Sequence, residues 1–125
     1  MQAGKGSVST IHAKSADDAI HRFADILMTE QRLNDDTVPL RQIMRSIDMV
    51  IHLDVIPNPD GTRRRIVSEI AEVVPNDNQL PIASQLFAWD YDREVYTMPN
   101  KPSPGLLRVL ERNGLNTEYF WEGAE

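Results

Sequence analysis

A change of period near residue 48 constrains the fold more than any other feature of this chain. Up to that point apolar residues recur at helical spacing, first through Ala16, Ala19, Ile20, Phe23 and Leu27, then through Leu40, Ile43, Met44 and Ile47. From Met49 to Ile56 the period becomes two. Met49, Ile51, Leu53 and Val55 fall on one side of the run, and His52 and Asp54 on the other. Pro57-Asn58-Pro59-Asp60-Gly61 is a strong turn signal, and Arg64 to Val74 reads as a second strand, so the pair predicts a β-hairpin. A chain that passes from helices into a hairpin belongs to a mixed α/β class.

The helix boundaries are written in polar residues. Ser15 is placed as an N-cap, with Asp18 three residues on as its capping-box partner. Asp17 and Asp18 also suit the positive end of the helix dipole. Asn34-Asp35-Asp36 breaks the first helix, and Pro39 fits the first turn of the second. Ahead of them, Gly6 to Ala13 reads as a strand that delivers His12 to its end. A polar residue exposed there suits nucleotide-handling α/β sheets.

Pro75-Asn76-Asp77-Asn78 closes the hairpin and marks the expected internal boundary, between residues 1–75 and 76–125. Beyond it, Ile82 to Trp89 and Glu94 to Met98 read as a smaller hairpin around Asp90-Tyr91-Asp92. Ser103-Pro104-Gly105 opens a last short helix with Leu106, Leu107 and Leu110 inward and Gly114 as its stop. No internal repeat interrupts this order.

Composition removes several function classes. The formal net charge of −6 over 125 residues argues against a dedicated nucleic-acid binder, which needs a basic footprint. The chain has no cysteine, so thiolate catalysis and cysteine zinc sites are excluded. No apolar run approaches the roughly 20 residues that span a bilayer, and direct membrane insertion is not expected. His12, His21 and His52 lack the i, i+4 spacing of a helical zinc site, so no metal site is expected from them.

Gly6-Ser7-x-Ser9-Thr10-Ile11-His12-Ala13-x-Ser15-Ala16, followed by Asp18-Ala19 and Arg22, resembles the histidine box of type II/IV secretion ATPases. The nearest branch is the CpaF/TadA type of tight-adherence and Flp pilus systems. Arg41-Gln42-Ile43, Ser46-Ile47-Asp48 and Met49-Val50-Ile51-His52 are similar to that family's next helix and strand. Asp60-Gly61-Thr62-Arg63-Arg64, then Ile70 and Glu72-Val73, resemble its hairpin. Leu86-Phe87, Pro104, Leu107, Leu110 and Gly114 resemble its C-terminal extension.

The resemblance implies the C-terminal half of a RecA-like P-loop NTPase core, followed by a small α+β extension. It further implies a hexameric motor, cytoplasmic and held at the inner membrane face through secretion or pilus platform proteins. ATP and Mg would be bound by the full-length parent. Two departures stand out. Lys14 occupies a position that is commonly Asn in this branch. The phosphate-binding pattern G-x-x-x-x-G-K-S/T is missing, because Lys5 in Gly4-Lys5-Gly6-Ser7 is followed by glycine. The chain alone is therefore expected to be inactive and to hold no nucleotide tightly.

In this reading His12 senses the γ-phosphate. Taken alone it reads better as a structural or surface histidine, and only the surrounding box reverses that. Ser9, Thr10, Arg22, Arg63, Arg64 and Arg65 are the candidates for nucleotide or subunit contact. The bland alternatives are local hydrogen bonds for the hydroxyls and a solvated hairpin rim for the arginine triplet. His21 is expected on a solvated helix face and His52 on a sheet face. Aromatic residues gather late in the chain, and Tyr119-Phe120-Trp121 reads as a partner anchor or a self-packed terminus. A second functional class stays open, a standalone, non-enzymatic module that docks on or regulates a full-length ATPase. In either class strand 6–13 lacks its sheet neighbours, so self-association or repacking of residues 1–13 is expected.

Overall fold

The computed structural model describes residues 6–118. It is a mixed α/β fold with three helices and a four-stranded antiparallel sheet. Helix α1 spans Ala16–Glu30 and α2 spans Thr37–Ser46. The strands β1 (Met49–Pro57), β2 (Arg63–Pro75), β3 (Pro81–Asp90) and β4 (Val95–Thr97) follow as a meander, each pairing with the next. Helix α3, Pro104–Arg112, is the last of these elements.

Helix α1 begins where its cap residues require. The Asp18 N–H donates to Ser15 Oγ at 3.0 Å, and Asp18 Oδ2 accepts the Lys14 N–H at 2.8 Å. Ser15 thus caps the third helical N–H, while Asp18 takes the N–H of the residue before the N-cap, so the expected capping box is displaced by one position. The helix stops at Glu30, ahead of the expected Asn34-Asp35-Asp36 break. Arg32 takes φ 54°, and the Leu33 N–H donates back to the Met28 carbonyl at 2.9 Å. That closure needs a left-handed residue, and here an arginine supplies it in place of glycine. Helix α3 ends by the same geometry with Gly114 at φ 82°, as its sequence predicts.

Helices α1 and α2 lie together on one face of the sheet. Ile20 and Ala24 of α1, Leu40 and Ile43 of α2 and Val73 of β2 form the buried cluster, with Val50, Leu80 and Ala83 packed against it. Their spacing on α1 and α2 is the helical stripe of the sequence, and removal of that stripe from water drives the packing. Along β1 exposure alternates residue by residue, so Val50, His52, Asp54 and Ile56 turn toward the helix side. Met49, Ile51, Leu53 and Val55 turn to the opposite, open face and are 40%, 61%, 59% and 43% exposed.

Three expectations are corrected or refined here. Residues 6–13 form no strand. The sheet offers them no neighbour, and an extended segment without a ladder keeps its backbone groups in water. The RecA-like arrangement is not what this sheet displays on its own, since every pairing is antiparallel. The boundary expected at residues 75 and 76 falls in the tight β2–β3 turn, and the sheet continues across it. Tyr119-Phe120-Trp121 lies outside the described residues.

Candidate functional site

The histidine box is an exposed arm pinned at its base. Ser9, Thr10 and His12 are all exposed, and Val8 is 97% exposed. The arm becomes fixed at Ala13 and Lys14. His52 Nε2 meets the Ala13 carbonyl at 2.9 Å, and the Lys14 N–H is held by Asp18. A carbonyl only accepts, so Nε2 carries the proton in this contact. His52 Nδ1 faces Ser68 Oγ, which in turn lies 3.1 Å from the His52 backbone carbonyl. Ser68 is buried, and this serine is a tether for the imidazole rather than an accessible nucleophile.

The sequence places His52 on a sheet face, and the structure agrees, but its link across 39 residues to Ala13 was hidden. Ser68 escaped sequence reasoning because it is the extra residue of a bulge, where the β1–β2 register shifts between His52 and Leu53. No periodic signal marks such a residue.

Arg22 is already engaged. Its Nε donates to Asp18 Oδ2 at 3.0 Å, one turn along α1. That contact, together with the Lys14 N–H, holds the Asp18 carboxyl below the usual carboxylate range, the backbone donor being the larger cause. His21 lies on the solvated side of α1, 3.7 Å from Asp17. Arg63, Arg64 and Arg65 open β2 opposite Pro57, Ile56 and Val55, and all three are exposed. No hydrogen bond joins them to His12 among the described residues. The structure therefore gathers Ala13, His52 and Ser68 at the foot of the arm, and leaves the arginine triplet on the hairpin rim.

Two depressions lie elsewhere. One, of about 260 Å³ on the open face, is lined by Val67, Ile70, Phe87 and Tyr96. The other, of about 340 Å³, is lined by Arg41, Met44, Arg45, Asn78 and Gln79. Arg41 and Arg45 stand one helical turn apart on α2, a second basic pair that the triplet had overshadowed in the sequence. Among the described residues no three His, Asp or Glu side chains converge as a metal site, and no helix is long and apolar enough to cross a membrane.

Chemically, the arm presents one imidazole and the hydroxyls of Ser7, Ser9 and Thr10 to solvent, all able to donate to an anion. It carries no paired carboxylates. The described residues contain no G-x-x-x-x-G-K-S/T sequence. No protein-family model matches the chain, and no curated protein matches it significantly.

Proposed function

We propose that this chain is the C-terminal portion of a type II/IV secretion ATPase of the tight-adherence, CpaF/TadA-like branch, and that it contributes a phosphate-facing histidine to a RecA-like motor. The observation that carries the reading is the position of His12. It is exposed, directly ahead of a doubly capped helix, on an arm whose base is fastened to the sheet through His52 and the Ala13 carbonyl. A donor held this way meets an anion brought to it by another part of the protein, and carries the contact into β1. The nucleotide itself belongs to residues upstream of this chain, where the phosphate-binding loop would lie. The assembly would be a ring at the cytoplasmic side of a membrane, reached through platform proteins.

The test begins with the reading frame ahead of the Met1 codon. A continuation carrying G-x-x-x-x-G-K-S/T is expected, and the long protein should hydrolyse ATP. His12→Ala in that protein should lower turnover by roughly 100-fold or more, the scale of one lost charge-stabilising donor. Residues 1–125 alone should give none. Turnover by the purified short chain, abolished by His12→Ala, would overturn the reading.

A further inference from the structure

The depression between α2 and the β2–β3 turn shares no residue with the histidine arm and carries its own chemistry. It measures about 340 Å³ and is lined by Arg41, Met44, Arg45, Asn78 and Gln79. No carboxylate lines it, although the chain holds 19 acidic residues against 13 basic ones. Ion pairs among the described residues use Asp17 and Asp18 of α1, so neither guanidinium here is neutralised. Helix α2 is fixed by its buried Pro39, Leu40 and Ile43, and it leaves Arg41 and Arg45 exposed. The turn opposite is closed by Asn76. Its Oδ1 accepts the Asn78 and Leu80 N–H groups at 2.8 and 3.0 Å, and its carbonyl accepts the Gln79 N–H at 3.0 Å. The side-chain amides of Asn78 and Gln79 take no part in that closure, and no hydrogen bond occupies them among the described residues. Gln79 also keeps its long carboxamide at φ 63°, where glycine would sit at less cost.

We propose that this depression is a binding site for the phosphoryl group of a phosphomonoester. Arg41 and Arg45 are four residues apart, which sets their Cβ atoms roughly 6 Å from each other on one face of α2. Two guanidinium forks at that spacing can close on one tetrahedral group. A phosphomonoester brings three acceptor oxygens and a charge of about −2, which two arginines match. The carboxamides of Asn78 and Gln79 supply further donors from the opposite wall. A carboxylate offers two oxygens and one charge. A single fork satisfies it, and the second arginine would be left over. The C-terminal end of α2 adds about half a negative charge nearby, which two full positive charges outweigh. A soluble metabolite and a lipid headgroup can both present this phosphoryl group. The site stands on its own geometry, independent of the ATPase reading.

The test uses the full 125-residue chain at low, constant ionic strength, with glycerol 3-phosphate as the probe. Heteronuclear NMR should show saturable shifts of the Arg41 and Arg45 Nε–H signals and of the Asn78 and Gln79 side-chain amides, with a Kd of about 1 mM or tighter. Arg41→Gln and Arg45→Gln should each weaken binding about 10-fold or more, through loss of one charged pair. Both arginines are exposed, so the unfolding midpoint should not move. Arg108 and Arg112 repeat the same spacing on α3 and line neither depression. Arg108→Gln/Arg112→Gln should therefore bind as the unaltered chain does. Vesicles containing phosphatidic acid display the same phosphomonoester on a lipid and separate the two sources. Recruitment to them that is lost in Arg41→Gln/Arg45→Gln assigns the headgroup; glycerol 3-phosphate binding without recruitment assigns a soluble ligand. Three results would overturn the proposal: no saturable binding of either probe, acetate binding as tightly as glycerol 3-phosphate, or the α3 double variant losing as much affinity as the α2 one. None of them touches the upstream reading frame that decides the ATPase reading.

Discussion

Both faces of the sheet carry large apolar side chains, and the chain treats them in opposite ways. On one face α1 and α2 bury Val73 and half-bury Val50 and Ala83. On the other, Ile51 and Leu53 remain 61% and 59% exposed beside the depression lined by Val67, Ile70, Phe87 and Tyr96. The start of the α3 segment is anchored there. Glu72 is buried opposite in phase to Val73 and accepts from the Ser103 N–H at 2.8 Å and from the Ser103 hydroxyl. Alternation specifies that a strand has two faces. Which one is covered depends on where the neighbouring helices can reach.

The largest effect should come from testing that contrast directly. Ile43 is 1% exposed in the cluster between the helices. Ile43→Ala should cost about 2–4 kcal/mol, through lost burial and an unfilled cavity. Leu53→Ala on the open face should cost under about 0.5 kcal/mol. Denaturant unfolding of the two variants measures the difference. Equal losses would show that the open face is buried in solution.

Glu72 offers the next largest effect, because it is the one buried acid among the described residues. Glu72→Ala leaves the Ser103 N–H without its acceptor and frees the start of α3. An expected loss of about 1–3 kcal/mol follows from removing one partner of a buried charged hydrogen bond. Hydrogen exchange at Leu106 and Leu107 separates this from general destabilisation. Those amides should lose protection while the amides of α1 keep theirs. Ser15→Ala acts at the covered side and should cost about 1 kcal/mol, the worth of an N-cap. Its exchange pattern should be the reverse, with fraying confined to the first turn of α1.

Much of this architecture was legible in the sequence. The period change at Met49, the Ser15 and Ser103 caps and the Gly61 turn lie where their chemistry puts them, since each depends on residues within four positions. Most of the errors are non-local. Gly6 to Ala13 has strand composition, but a strand needs a partner, and no local pattern states whether one exists. Helix α1 ends at Glu30, closed by a left-handed Arg32, a conformation that arginine does not advertise. The foot of the histidine arm joins Ala13, His52 and Ser68 from three separate segments, one of them a bulge. His12 itself was legible as a candidate, and its exposure was not.

The smallest effect tests the far end of the helix-side face, where Asp54 is only half-buried. There the Tyr91 hydroxyl donates to Asp54 Oδ2 at 2.7 Å. That bond, with some burial, pushes the phenol up to about 12, and the same bond with the Val55 N–H holds the Asp54 carboxyl below its usual range. The two signs differ. Tyr91 contributes stability that is fully present below the unfolded value near 10 and is lost as pH rises through about 12. Asp54 contributes stability that is present above roughly 4 and is lost as pH falls through its lowered folded value. Tyr91 is 53% exposed, so screening by water keeps its share below about 1 kcal/mol. Tyrosinate absorbance resolves so small a contribution. Of the three tyrosines in the chain, Tyr91 should titrate late, and Asp54→Asn should return it toward the ordinary range. If Tyr91 titrates normally in the unaltered chain, the bond does not persist in solution. This end of the covered face would then be as open to water as the face opposite.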